Sequence, residues 1–405
     1  MTVAADLDLP QLDPADPDLR GHRYRAAMAA VEGYEGWLAT NPFGYTVLDR
    51  ESGEFFLRTK QATFPGLTIA ELFGVGEGPL YEEIVRNIIN LNGADHGRLR
   101  GLVNPALSPR AVDRYRPAMR RFIGQLLEQS PADGRLEFVE EVAKPYPSLV
   151  IAEVMGAPLG DAARLYHWSN WIQRQFDAAS LLNERSQIEQ AVTEFYEYAN
   201  ELIARRRQTP DDDLISALIR AEDAGDRLSD DELRNLVLNI LVGGVDTSQS
   251  QLAHAIRLLA EHPDQWERLK ADPRGLALAA VEEALRYEPI TPFTARITTE
   301  EVEHRGVTFP AGSVVLVSAW HANRDGAGDK FDIAADRPRA RLLTFGAGIH
   351  YCVGANLARA EMEEAVAFLG ERVETLELDG APEFGTPSGI YGLERLPLRI
   401  RLSRT

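Results

Sequence analysis

From Ser229 to Glu261 the sequence runs without a proline, opened by Ser229-Asp230-Asp231-Glu232 and closed by His262-Pro263. A serine followed three residues later by glutamate caps a helix start, and the proline stops it. At 1.5 Å per residue, about 32 helical residues would span roughly 48 Å, the width of a whole domain. Asn235, Asn239, Asp246 and Arg257 exclude a membrane span, and no sustained heptad supports a coiled coil. The segment therefore predicts a buried spine around which the remaining chain must pack.

That remainder is mostly helical in its periodicity, broken by Pro and Gly. Short strand-like pieces stand at Tyr45–Asp49, Glu54–Arg58, Val307–Phe309, Ser313–Ser318 and Leu398–Leu402. The fold class expected is mainly α with a minor β portion. The 405 residues are 44% hydrophobic and 26% charged, with mean hydropathy −0.24. Length alone allows two or three domains. No apolar run approaches the ~20 residues that cross a bilayer. Residues 1–20 are acidic and proline-rich, unlike a signal peptide or an anchor. A net charge of −19 argues against nucleic acid or an anionic membrane as partner. Basic residues still gather at Arg337, Arg339 and Arg341, and at Arg110, Arg114, Arg116, Arg120 and Arg121. They are read as solvated faces or as a positive patch that steers an acidic partner.

Cys352 is the only cysteine, so an internal disulfide and multi-cysteine zinc sites are excluded, and a reducing cytoplasm suits the chain. An inert thiol, a nucleophile and a metal-bound thiolate remain. The thiol sits in Phe345-Gly346-Ala347-Gly348-Ile349-His350-Tyr351-Cys352-Val353-Gly354. Glycines there permit tight turns and close approach of a large flat group. The run resembles the haem-binding loop of the cytochromes P-450, Phe-Gly-x-Gly-x-His-x-Cys-x-Gly, at every defined position, and Ala355 to Glu361 continue the likeness.

Within the predicted spine, Gly243-Gly244-Val245-Asp246-Thr247 places two glycines where each costs about 1 kcal/mol relative to alanine. The Thr247 hydroxyl can turn back to the Gly243 carbonyl and bend the helix. This segment resembles the family's oxygen-activation motif, (Ala/Gly)-Gly-x-(Asp/Glu)-Thr. The resemblance implies that Thr247 holds the oxygen ligand and that Asp246 helps relay protons from solvent. Glu283 and Arg286 are three apart on one helical face and can pair; in the family, Glu-x-x-Arg is a buried structural pair that locks the cysteine loop. His96 and Arg100 resemble the family's His-x-x-x-Arg, and Arg296 and His350 also match family positions that hold haem propionates. The other histidines show no metal-ligand spacing.

Taken together, the resemblance implies a single domain over residues 1–405 with the family's triangular-prism fold. It implies haem b ligated by Cys352, with His96, Arg100, Arg296 and His350 around it. The activity implied is monooxygenation of a small apolar substrate with O2. Electrons would come from NAD(P)H through a ferredoxin reductase and an acidic ferredoxin or flavodoxin-type donor docked on the cysteine-loop face. Pocket positions by resemblance are Asn239, Val242, Gly243, Pro292, Phe293, Thr294, Ile390 and Tyr391, with Trp171 and Phe176 joining them. Two departures stand out. The stretch Gly326 to Asp332 is short, and Leu342 occupies a position that is often histidine. The rival readings are a peroxide-dependent or decarboxylating relative, which commonly lacks the acid–alcohol pair, and a non-catalytic haem protein that senses gas or carries electrons.

Overall fold

The structure, a computed structural model, describes all residues except 1, 15, 17, 132, 224–227, 338–340, 388 and 404–405, so Arg339 lies outside the described residues. The chain forms two compact units, each assembled from separated segments. One comprises residues 1–65, 282–352 and 383–394; the other comprises 66–281, 353–382 and 395–405. No helix among the described residues is long and apolar enough to cross a membrane.

The first unit is built on a five-stranded sheet of β1 (Leu38–Asn41), β2 (Gly44–Val47), β3 (Ala62–Thr63), β4 (Phe293–Thr298) and β5 (Val314–Ser318), in the order β1-β2-β5-β4-β3. β2 and β5 run parallel and the other neighbours are antiparallel. β-Branched Val315 and Val317 fill a core with Trp37, Phe56, Phe309 and Leu343. One strand expectation is overturned: Glu54–Arg58 lies in the helix Arg50–Arg58. Asp49 caps that helix by accepting from the Ser52 amide at 2.7 Å, and Ser52, Gly53, Phe56 and Leu57 form its buried stripe.

The second unit is mainly helical, with one three-stranded antiparallel sheet of Arg135–Glu137, Val373–Leu378 and Pro397–Leu402. Its elements used below are α1 (Pro79–Arg86), α2 (Gly93–Val103), α3 (Ala162–Gln173), α4 (Asp230–Gly244) and α5 (Asp246–Glu261). Two further helices, α6 (Pro273–Tyr287) and α7 (Ala355–Arg372), follow in the chain. The capping box is present, with Ser229 and Glu232 exchanging bonds of 3.2 and 2.9 Å. The spine is not continuous, however. It is interrupted at Val245, between Gly244 and Asp246, where the Thr247 hydroxyl donates to the Gly243 carbonyl at 2.7 Å. In α5 every residue except Thr247 and Glu261 is buried, as a core spine requires.

The two glycines serve different ends. A Cβ on Gly244 would stand 2.3 Å from Ile151 Cδ1, whereas one on Gly243 would meet nothing within 4 Å. Gly244 is therefore needed for packing, and Gly243 leaves space. Denaturant unfolding should separate them. Gly244→Ala is expected to lose about 1–3 kcal/mol through overpacking. Gly243→Ala is expected to be neutral or up to about 1 kcal/mol more stable.

Candidate active site

The cysteine loop belongs to the first unit. Two short 3-10 turns, Leu343–Phe345 and Gly348–His350, fold it back so that the Cys352 amide donates to the Phe345 carbonyl at 2.9 Å. Gly348 has φ +71°, and a Cβ there would lie 2.5 Å from the Leu57 carbonyl oxygen, so only glycine fits. Asn323 and Thr344 fasten the loop from below. The Leu343 amide donates to Asn323 Oδ1 at 2.9 Å, and the Thr344 hydroxyl donates to the Leu285 carbonyl at 2.8 Å.

Glu283 and Arg286 form the buried pair, with Arg286 donating through two nitrogens at 2.8 and 2.9 Å. Both side chains are about 5% exposed. Arg337 joins the same carboxylate at 3.0 and 3.1 Å, and the Asp332 amide donates to it at 2.9 Å. Arg286 also donates to the carbonyls of Gly328 and Lys330 at 2.9 and 2.8 Å, so the short stretch before the loop is tied directly to this pair. Arg337 is thus committed inward and adds no charge to a docking surface. Three arginines of the other basic stretch are also paired: Arg114 with Asp212, Arg116 with Glu363 and Glu364, and Arg120 with Glu371. Around the loop, Arg50, Arg58 and Arg341 remain near the surface. Glu54 lies beside Arg50 and Arg58, and Arg341 lies over Tyr351.

Arg296 on β4 is 3% exposed and donates only to its neighbour's carbonyl, Ala295 O, at 2.8 Å. Among the described residues it makes no ion pair, and burial pulls its pKa down to about 10. An uncompensated buried guanidinium is costly and suits a carboxylate from a cofactor. In the second unit, His96 and Arg100 lie on α2. His96 is buried, and burial, then the Arg100 charge, lowers its pKa, so the ring is neutral near pH 7. His350 is half-buried at the end of its turn. In the first unit, the positively charged Arg296 and the glycine-shaped thiol loop both fit haem.

Asp246 is 5% exposed and accepts from Ser169 Oγ at 2.5 Å and Asn170 Nδ2 at 3.2 Å. Burial raises its pKa against those two bonds. Asn170 in turn accepts from Arg174, which pairs with Glu184 at 2.9 Å.

The remaining predicted positions separate. Asn239 is half-buried, Val242 buried and Gly243 exposed on α4; Phe293 and Thr294 are half-buried on β4, as is Ile390. Tyr391 enters the first unit's core, fully buried, its hydroxyl accepting from the Gly21 amide at 3.1 Å and its ring 4.7 Å from that of Tyr24. Trp171 lies under the Arg174 guanidinium, and Phe176 is half-buried. One group escaped the sequence reading. Glu83 on α1 is fully buried and accepts from Asn87 Nδ2 at 2.6 Å and Asn239 Nδ2 at 3.4 Å. The signal was present: Leu80, Glu83 and Ile84 share the buried face of that helix, so an acid stands where an apolar residue is expected.

The family model for cytochrome P450, written P-450 here, matches residues 77–372. The chain belongs to the cytochrome P-450 family. Luteothin monooxygenase from Streptomyces thioluteus is 36% identical over 401 residues, covering 97% of this chain and 96% of the relative. Mycinamicin IV hydroxylase/epoxidase from Micromonospora griseorubida is 36% identical over 309 residues, covering 75% and 76%. Among solved structures, CalO2 aligns with a TM-score of 0.88 at 30% identity over 97% of this chain and 99% of that one. The mainly α P-450 fold and a P-450 oxidoreductase with a haem cofactor follow.

Two substitutions test the supporting network of this P-450. Glu283→Gln leaves the buried Arg286 and the half-buried Arg337 without a carboxylate and should cost about 3–5 kcal/mol in denaturant unfolding. Glu83 behaves differently, because burial pushes its carboxyl from an ordinary 4.5 up to about 7. Its protonated form is favoured in the folded chain, so stability falls as pH rises from 4.5 through 7, by about 3 kcal/mol in total. Glu83→Gln should therefore match the wild type near pH 4.5 and exceed it by up to about 3 kcal/mol at pH 8.

Proposed function

We propose that this P-450 is a haem-thiolate monooxygenase that places one oxygen atom of dioxygen into an apolar organic molecule, by hydroxylation or a related oxidation. The observation that carries this reading is the interruption at Val245, with the Thr247 hydroxyl on the Gly243 carbonyl, open space at Gly243 and a buried acid next in sequence. A relative using peroxide has no need of such a pair. The names of the relatives above, a monooxygenase and a hydroxylase/epoxidase, support the same chemistry.

Haem b is the cofactor proposed; Cys352 would hold its iron, and Arg296, His96, Arg100 and His350 would partner its propionates. When bound, it supplies the iron at which dioxygen is reduced, and thiolate donation favours O–O cleavage. The chain's residues handle protons and position. The Thr247 hydroxyl can swing from the Gly243 carbonyl toward a ligand in the gap, donating its hydrogen there. Asp246, whose carboxyl burial makes easier to protonate, is the proposed proton donor to that hydroxyl. Ser169 and Asn170 fix the carboxyl, and Asn170 continues to Arg174 and the partly exposed Glu184, which offers a route to solvent. Asn239, Val242, Phe293, Thr294 and Ile390 are the proposed substrate contacts.

Electrons would arrive from NAD(P)H by way of a ferredoxin reductase and an acidic ferredoxin or flavodoxin-type protein. Arg50, Arg58 and Arg341, together with Ile349, which is 56% exposed, make the cysteine-loop face a suitable dock for such a donor. The cytoplasm is the proposed location.

A reduced carbon monoxide difference spectrum tests the assignment. The wild type should give the strongly red-shifted Soret band of a thiolate-ligated haem, and Cys352→His should lose it. An imidazole-type band in the wild type would overturn the reading, and reversible carbon monoxide binding without reductant use on any apolar compound would favour a sensor. Thr247→Ala should retain haem while shifting electrons from product to peroxide, cutting product per reductant on the order of tenfold. Unchanged coupling would remove Thr247 from this role.

A further inference from the structure

Apart from Asn239, the polar cluster around Glu83 is used by none of these steps. One carboxyl oxygen, Oε1, receives the Asn87 and Asn239 amides, while Oε2 has no hydrogen-bond partner among the described residues. Asn239 is itself held, since its Oδ1 accepts from the Ile88 amide at 3.0 Å, which turns its NH2 toward Glu83. Gln175 is a third polar neighbour whose side chain favours the charged carboxyl, although its Nε2 donates to the Ile172 carbonyl at 3.1 Å. No cation pairs with Glu83 among the described residues. The nearest arginines are engaged elsewhere: Arg86 with Glu82 and Asp231, and Arg234 with Asp231 and over the Tyr196 ring. Tyr196, from the helix Arg185–Gln208, accepts from Asn235 and keeps a raised pKa.

The position matters as much as the chemistry. Asn239 and Gly243 are four residues apart on α4, so they share a face one turn apart. Asn239, which binds the carboxyl, therefore stands about one helical turn from Gly243. A buried carboxylate with one empty oxygen and no counter-ion is an expensive arrangement. A ligand that supplies both a hydrogen and a positive charge relieves it, whereas a hydrocarbon leaves the oxygen unsatisfied.

We propose that Glu83 is a specificity-determining residue whose unpartnered oxygen receives the N–H of a protonated amine on the substrate, with Asn239 orienting the carboxyl. This rests on the monooxygenase reading, in which the Gly243 space is where substrate is presented. It narrows the substrate class to an apolar molecule carrying one basic nitrogen. Burial keeps Glu83 largely protonated at pH 6.5, so pairing with an ammonium would expel its proton.

The test uses the purified, haem-loaded protein and calorimetric titration with N,N-dimethyldecylamine and decyl methyl ether, probes of similar length that differ in charge and donor. The wild type should bind the amine at least tenfold more tightly than the ether. Glu83→Gln should lose at least tenfold for the amine and leave the ether within about twofold. At pH 6.5, titrations in two buffers of different ionisation enthalpy should show release of more than half a proton with the amine and none with the ether. That measurement needs only the wild type, so it stands even if the variant folds poorly. Equal affinities, failure of both probes to bind, an amine preference that survives Glu83→Gln, or the absence of proton release would each overturn the proposal. The carbon monoxide spectrum reports on the haem assignment separately, so failure of either can be told from failure of the other.

Discussion

The carboxylate of Glu283 organises the first unit's functional end. Two guanidinium groups and a backbone amide converge on it, with Glu283 and Arg286 buried and Arg337 half-buried. Such an arrangement is stable only when complete, because each charge is tolerable only in the presence of the others. Through Arg286 it reaches the carbonyls of the short 326–332 stretch, and the neighbouring Leu285 carbonyl receives Thr344 at the base of the cysteine loop. The geometry of a thiol loop rich in glycine, which would otherwise wander, is thereby inherited from a rigid helix end.

In the second unit the corresponding constraint is the gap at Val245. A helix that buries nearly every side chain cannot yield at its packing, so it yields at its backbone. The threonine hydroxyl replaces the missing regularity locally, and the acid beside it is fixed by two residues of α3. Rigidity and a local opening coexist because Gly244 packs tightly against Ile151 while Gly243 faces empty space.

Much of this was legible from residue types alone. The capping box, the proline stop and the Thr247 bend come from short-range rules that need no tertiary context. The Glu283–Arg286 pair was equally visible, but its burial and its third partner, Arg337, were not, since Arg337 is brought in by a tertiary contact over fifty residues of sequence. Arg116 and Arg120 looked like a basic patch for the same reason: their acids lie some 250 residues away. Glu54–Arg58 was misjudged because a paired Phe55-Phe56 raises strand propensity, while the Asp49 cap that decides for helix lies outside the segment. Tyr391 appeared to be a pocket residue, yet its hydroxyl is spent on a backbone amide near the N-terminus. Glu83 was overlooked because one acid on an apolar stripe is easily read as the exposed edge of that stripe.

The interruption of the spine also has an electrostatic consequence. Aligned peptide dipoles in one uninterrupted helix would leave their partial charges only at its distant ends. Restarting the helix at Asp246 creates a positive N-terminal pole midway along the segment, beside the Gly243 space. A ligand that accumulates negative charge there meets a favourable field set by the backbone itself, one that no side-chain substitution can remove without mending the helix.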